Sequence, residues 1–348
     1  MKKIVIFLIV LIIIIFIFAF FNKKSFNDKL KDVGYNSKEV DLIIKNVAQK
    51  NYNTFLKKYN KSLINIISSK DYKEKNFDLY IKYYDKNSNE KISNIISIVN
   101  SGYDVLNYPA SNLLANLVKE KYFINKNISR YLDYGNNHDI SSKKIVAIVN
   151  AWADYEYYSN TNESNLNDDE LILVNKFNYL PNGYVPKDLV TLSGKYNKGV
   201  NNQMRKNAAE QFMKMVDGAL LDNIVLKNAS SYRSYEYQVN LYNKYAKKDG
   251  KAKADIYSAR PGYSEHQTGL CTDINTIDSS FALTNEAKWL KNNAYKYGFI
   301  LRFPEGKEDI TGYKYEPWHY RYVGVDVAKK IYENDLTLEE YYAYYIKK

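Results

Sequence analysis

Three short segments carry most of the residues able to do chemistry in this 348-residue chain. The first is Ser230-Ser231-Tyr232-Arg233-Ser234. The second runs from Gly262 to Ile274 and holds Ser264, His266, Gly269, Cys271 and Asp273. The third, Tyr315 to Gly324, holds Glu316, Trp318 and His319. Two of the protein's three histidines fall in them. A catalytic zinc needs three protein ligands and one position left for water. His266, Asp273 and His319 offer two imidazoles and a carboxylate, and Gly269 can turn the chain so that the first two side chains converge. His319 has to arrive from a neighbouring strand. Pro317 bars a helix interior there, because proline lacks an amide donor and clashes with the preceding turn. An edge strand or a bulge is therefore expected around His319.

Glu316 suits a general base, since a carboxylate beside such a site can accept a proton from water and pass it to a leaving amine. Arg233 suits a clamp, because a guanidinium grips a carboxylate through two parallel hydrogen bonds. An exopeptidase needs that grip on the free C-terminus of its substrate; an endopeptidase does not. Each residue also has a plain structural counterpart. A lone His near a strand is commonly a core or loop residue, Glu-x-x-His alone is a weak pattern, and a single Arg is commonly a salt-bridge partner. The bare constellation leaves a metal site and structural roles about evenly matched. Cys271 reads as a small buried hydrophobe, and His138, within Gly135-Asn136-Asn137-His138-Asp139, as a solvated loop residue.

The elements that must position these residues show in the apolar spacing of the second half. Met204, Ala208, Phe212, Met215 and Ala219 form one face of a helix, and Ile224-Val225-Leu226 reads as a short strand. Ser234 can cap a helix bearing Tyr235, Val239 and Tyr242. A helix with Ala287, Leu290 and Ala294 stops at Gly298, before a strand from Phe299 to Phe303. Thr337 and Glu340 have capping-box spacing for a last helix. The expected class is α+β: a small antiparallel sheet flanked by helices.

Glycine and proline divide the chain. Three Gly and one Pro precede residue 165, and eleven Gly and five Pro follow it. A mostly helical region, 25–165, is expected before a mixed domain, 166–348, with the polar run from Ser159 to Asp169 as the linker. The helical region carries a faint repeat of about fifty residues: Asn76-x-x-x-Tyr80-Ile81-x-Tyr83 recurs as Asn127-x-x-x-Tyr131-Leu132-x-Tyr134. Each copy leads into an apolar run ending in Val99-Asn100 or Val149-Asn150. Stacked helical units and a coincidence of Tyr-rich composition explain it equally well. Val40, Ile43, Ile44 and Val47 fit one helix face.

The apolar run Ile4 to Phe21, with Lys2 and Lys3 before it and Lys23 and Lys24 after it, is just long enough to cross a bilayer core. Phe18-Ala19-Phe20-Phe21 lacks a small-x-small cleavage site, which favours an uncleaved signal-anchor over residues 1–24 against a cleaved signal peptide. The remainder is then expected outside the cell. A net charge of +11 would draw it to anionic wall polymers and lipid headgroups. Basic residues are scattered without a recognised nucleic-acid motif, so no nucleic-acid partner is expected. With Cys271 as the only cysteine, neither an intramolecular disulfide nor a multi-cysteine zinc site can form.

Taken together, the three segments resemble the VanY-like D-alanyl-D-alanine carboxypeptidases of the LAS zinc metallopeptidase group. That family's Ser-x-His-x-x-Gly-x-x-x-Asp motif is met by Ser264, His266, Gly269 and Asp273, and its Glu-x-x-His motif by Glu316 and His319. Its substrate-binding Arg matches Arg233 within Ser-x-Arg-Ser. Leu173-Val174-Asn175-Lys176, Leu180-Pro181 and Tyr184-x-Pro186 are similar to the start of the domain, so the resemblance covers about residues 171–345. Where the family usually has Ala or Ser, this chain has Cys271. The resemblance implies zinc held by His266, Asp273 and His319, water activated by Glu316, and the carboxylate of a peptidoglycan stem peptide held by Arg233. Ser264, Gln238 and Trp318 would add substrate contacts. The implied reaction is release of C-terminal D-alanine by a D,D-carboxypeptidase. An L,D-carboxypeptidase acting on tetrapeptide stems, a non-catalytic wall-binding module and an endopeptidase are the alternatives.

Overall fold

Antiparallel pairing sets residues far apart in sequence side by side, and in this chain it does so for the segments that carry the chemistry. The computed structural model describes residues 24–181 and 183–346. The chain divides into two compact units, residues 1–125 and 126–348. The expected membrane anchor, Ile4 to Phe21, lies outside the described residues. Among those described, no helix is long and apolar enough to cross a membrane.

The first unit is built from short helices: α1 (Phe26–Val33), α2 (Ser37–Asn46), α3 (Tyr52–Leu56), α4 (Lys61–Ile67), α5 (Phe77–Lys86), α6 (Ile92–Ser101) and α7 (Asn112–Leu117). Side chains of Ser25, Asn36, Asn60 and Ser111 cap the starts of α1, α2, α4 and α7, accepting the backbone N–H groups that the first helical turn leaves unpaired. Helices this short are marginal alone, so packing must hold them. Leu30, Ile43, Phe55, Ile67, Tyr80, Ile95 and Leu114, one from each helix, are fully buried.

The repeat read from the sequence corresponds to a recurring set of bonds. Asn76 Nδ2 donates to Asn100 Oδ1 at 2.9 Å, and the Tyr80 hydroxyl donates to the same oxygen. Asn127 and Tyr131 bond Asn150 in the same way. Helices begin at Phe26, Tyr52 and Phe77, a step of about 25 residues, and the interval from Phe77 to Ile128 is twice that length, with α6 and α7 inside it. Asn51, one step before Asn76, donates to Glu74 Oε1 at 2.9 Å, just ahead of α5.

The second unit opens with two more helices, α8 (Ile128–Asn137) and α9 (Ser142–Asn150), so it starts about thirty residues before the polar run expected to be a linker. Ala147, Ile148 and Ala151 pack against Ile310 deep in the second unit, which draws this helix pair into it. The polar run is not a linker: Asn162–Glu163 (β1) pairs in parallel with Asn178–Tyr179 (β2) inside the unit. Leu189–Thr191 (β3) and Gln203–Arg205 (β4) form an antiparallel pair.

The central sheet has four antiparallel strands in the order β5 (Asn228–Ser230), β6 (Cys271–Ile274), β8 (His319–Tyr322), β7 (Phe299–Leu301). Helices α10 (Lys206–Leu221), α11 (Tyr235–Asp249), α12 (Lys251–Tyr257), α13 (Asn285–Asn293), α14 (Glu308–Thr311), α15 (Val325–Asn334) and α16 (Leu338–Tyr341) complete the unit. One face of the sheet, with Ile274, Phe299, Tyr320 and Tyr322, packs on Phe212 and Met215 of α10. The alternation of strand side chains then turns Asp273, His319 and Arg321 to the opposite face.

Several local expectations hold. Ser234 caps α11, Gly298 ends a helical turn in the left-handed conformation, and Thr337 with Glu340 forms a capping box. Two do not. Ile224-Val225-Leu226 is not a strand, because Ile224 N–H closes the end of α10 by bonding the Ala219 carbonyl, and the strand begins at Asn228. His319 is on an inner strand, between β6 and β7, rather than at an edge or a bulge. Pro317 lies in the turn before β8, where no ladder hydrogen bond is required of it.

Candidate metal centre and active site

Register does most of the assembly. Asp273 on β6 and His319 on β8 are direct cross-strand partners, and their Oδ1 and Nδ1 atoms lie 3.1 Å apart. Ser230 on β5 is opposite Asp273 on its other side. The chain leaves β5 for the capped start of α11, which sends Arg233 back over the sheet, where its Nη2 is 2.7 Å from Asp273 Oδ2. His266 belongs to a tight helical turn, Glu265–Thr268, just before β6. Gly269 ends that turn at φ +68°, and a Cβ there would come within 2.9 Å of Leu189. The turn therefore needs glycine for its left-handed conformation.

His266 Nδ1 is 2.7 Å from the Ser231 carbonyl. A carbonyl only accepts, so the proton is on Nδ1 and the Nε2 lone pair faces Asp273 Oδ2 at 3.5 Å. Burial, with Arg233 close by, pushes the His266 pKa down to about 3, so the ring is neutral, as a metal ligand must be. Burial opposes ionisation of Asp273, but the hydrogen bond from His319 and the charge of Arg233 outweigh it and hold the carboxyl below its usual range. Glu316 Oε2 lies 3.8 Å from His319 Nδ1. Burial pushes the Glu316 pKa up to about 7.

His319 shows that the donor set fits a cation. Its Nδ1 faces the Asp273 carboxylate and its Nε2 faces Glu265 Oε2 at 3.5 Å. Two carboxylates on one imidazole call for a positive charge. One source is a second ring proton, which burial opposes but Cys271, Asp273 and Glu265 favour, raising the His319 pKa well above its usual value. The other is a cation in place of the Nδ1 proton, with the ring proton kept on Nε2. Two imidazoles and a carboxylate are the donors that suit zinc. His266, Cys271 and His319 also bring one ligating atom each within 4.8 Å of one another. Cys271, however, is fully buried, burial pushes its thiol pKa up, and it does not border the cavity. The cavity-facing set is therefore His266, Asp273 and His319.

These three, with Glu316 and Arg233, line one cavity of about 630 Å³. Ser264, Gln238 and Trp318 line it too. Gln238 on α11 donates from Nε2 to the Ala259 carbonyl at 2.8 Å, and its buried Oε1 has no hydrogen-bond partner among the described residues. Trp318 packs mainly into the core beneath the sheet. His138 is remote from this group, stacked on Tyr134.

The sequence reading missed the charges beneath the site. Glu265 accepts from Arg302 Nε and Arg321 Nη1, each at 2.7 Å, and Arg302 also grips Glu339 with both terminal nitrogens. A signal was present. Arg302 interrupts Phe299-Ile300-Leu301 and Phe303, and Arg321 lies between Tyr320 and Tyr322, and a charge inside an apolar strand needs a buried partner.

The VanY family model, described as D-alanyl-D-alanine carboxypeptidase, matches residues 201–325. YodJ of Bacillus subtilis (strain 168) is 45% identical over 181 residues, covering 49% of this chain and 66% of YodJ, so the chain spans just under two thirds of that relative. The bifunctional D-Ala-D-Ala dipeptidase and D-Ala-D-Ala carboxypeptidase VanXYC of Enterococcus gallinarum is 35% identical over 149 residues, 40% of this chain and 78% of that protein. Among solved structures, the LdcB LD-carboxypeptidase superposes with a TM-score of 0.51 at 42% identity, covering 53% of this chain and 91% of the other. This similarity covers the segments that carry His266, Asp273, Glu316 and His319, and the chain belongs to the VanY D-alanyl-D-alanine carboxypeptidase family.

Proposed function

We propose that the chain is a zinc-dependent carboxypeptidase that removes the C-terminal D-alanine from peptidoglycan stem peptides, acting as a D,D-enzyme on pentapeptide stems. The observation that carries this is the convergence of His266, Asp273, His319, Glu316 and Arg233 on one cavity. His266, Asp273 and His319 would hold the metal. When bound, zinc acts as a Lewis acid and lowers the pKa of a water on it to about 7. Glu316 takes a proton from the attacking water and delivers it to the leaving amine of D-alanine. Arg233 receives the free carboxylate, and Gln238, Ser264 and Trp318 border the bound peptide. Similarity to an LD-carboxypeptidase makes the tetrapeptide stem the competing substrate. Mass spectrometry of defined tetra- and pentapeptide stems after incubation with the purified chain separates the two. Faster loss of D-alanine from the tetrapeptide would replace the D,D assignment by L,D, and no loss from either would leave a wall-binding module.

The metal assignment is tested on the same preparation. The purified chain is expected to carry one zinc, and His319→Ala to lower occupancy by at least tenfold. A folded chain that holds no divalent metal and is indifferent to chelator would end the zinc assignment.

We also propose that Ile4 to Phe21 anchors the protein in the cell membrane with residues 25–348 outside, facing the wall. Protease added to intact, wall-stripped cells is then expected to digest the catalytic unit. Protection from the protease, or a mature form beginning near Asn22, would count against the anchor.

A further inference from the structure

Beneath the candidate metal centre lies a buried four-charge network. Glu265, Arg302, Arg321 and Glu339 are each 5% exposed or less. Arg302 donates to Glu339 at 2.6 and 2.8 Å, and Arg321 spends its other donors on the carbonyls of Tyr322, Glu170 and Ile172. Buried ion pairs commonly stabilise a fold no more than apolar packing of the same volume, so stability alone is a weak reason for this one. The division of labour within Glu265 supplies a better reason. Both arginines bond Oε1. Oε2 is buried, has no hydrogen-bond partner among the described residues, and faces His319 Nε2, which is equally without one, at 3.5 Å.

Resting on the metal reading above, we propose that Glu265 is a positioning residue for the metal ligand His319. Its Oε2 draws the ring proton to Nε2, which leaves the Nδ1 lone pair facing Asp273 and the cavity. Arg302 and Arg321 fix the carboxylate from behind, and Arg302 ties it to Glu339 on α16. Carboxylates that orient a ligating imidazole in this way typically contribute ten- to a hundredfold in metal affinity.

The test measures zinc affinity of the full chain by chelator competition, together with the absorption spectrum of the cobalt(II) form. Glu265→Gln is expected to weaken zinc binding ten- to a hundredfold and to alter the cobalt bands. Glu339→Gln cuts the same network one step farther from His319, and is expected to lower Tm while leaving affinity and spectrum unchanged. Should Glu265→Gln fail to fold, Glu265→Asp keeps the charge opposite both arginines but draws the carboxylate back from His319, and the same loss is expected. Unchanged affinity in a folded Glu265 variant, or an equal loss in Glu339→Gln, would overturn the proposal. Zinc binding missing from the unsubstituted chain would remove the underlying metal reading instead.

Discussion

Glu316→Gln is expected to lower kcat on a D-alanyl-D-alanine peptide by roughly a hundredfold or more, with KM changed by less than about threefold. The substitution keeps the side chain's shape and removes its ability to accept a proton. Position is not expected to change: Glu316 N–H bonds the Phe303 carbonyl at 3.1 Å, Pro317 restricts the next backbone step, and the residue is 8% exposed. Its placement, 3.8 Å from His319 Nδ1, puts it beside the atom that would face the metal, close enough to reach a water there. A base is most effective when its pKa lies near the working pH, and burial moves Glu316 in that direction. Proton transfer matters in the transition state and little in ground-state binding, so the loss belongs in kcat. Zinc content measured alongside should match that of the unsubstituted chain, which separates a lost base from a lost ligand. Full activity in a folded, metal-loaded Glu316→Gln protein would remove it as the base.

The candidate ligands and the candidate base could be singled out because they occur in short, ordered motifs whose spacing reflects a tight turn and a strand. Gly269 marked the turn, and the left-handed conformation found there is the reason glycine is required. The cross-strand pairing of Asp273 with His319 was not legible, since register depends on which faces are buried and not on any local pattern. The same gap put His319 at an edge: Pro317 was read as part of the strand when it lies in the turn before it. Glu265 was hidden by its neighbour, as a charged residue beside a ligand looks like a solvated side chain until its two arginines are placed. The helical half was legible as helix but not in its unit boundary. Asn150 closes the same bonds as Asn100, yet the helix bearing it packs with the catalytic unit through contacts that no repeat encodes.

Arg233→Ala is expected to raise KM for free-acid peptides about ten- to a hundredfold and to abolish the preference for a free carboxylate over a C-terminal amide. Arg233 lines the cavity beside the candidate metal ligands, which is where a carboxylate one residue beyond the scissile bond would have to lie. Its Nη2 bonds Asp273 Oδ2 at 2.7 Å and its Nε bonds the Ser230 hydroxyl at 3.0 Å, so the guanidinium is held in a fixed plane before any substrate arrives. Those bonds also support a different role, in which Arg233 only balances the charge of Asp273. The two roles predict different patterns. A clamp acts on the substrate's carboxylate, so its loss should penalise the free acid far more than the amide. A charge partner of Asp273 acts through the metal site, so its loss should shift zinc affinity and slow both peptides alike. Arg233→Lys sharpens the contrast: it restores the charge but not the paired planar donors, and is expected to recover little of the free-acid preference. The measurement is kcat/KM for matched free-acid and amidated pentapeptide stems, with zinc affinity determined on each variant. A proportional fall on both peptides in Arg233→Ala would make the residue a partner of Asp273, and equal cleavage of the two by the unsubstituted chain would indicate an endopeptidase.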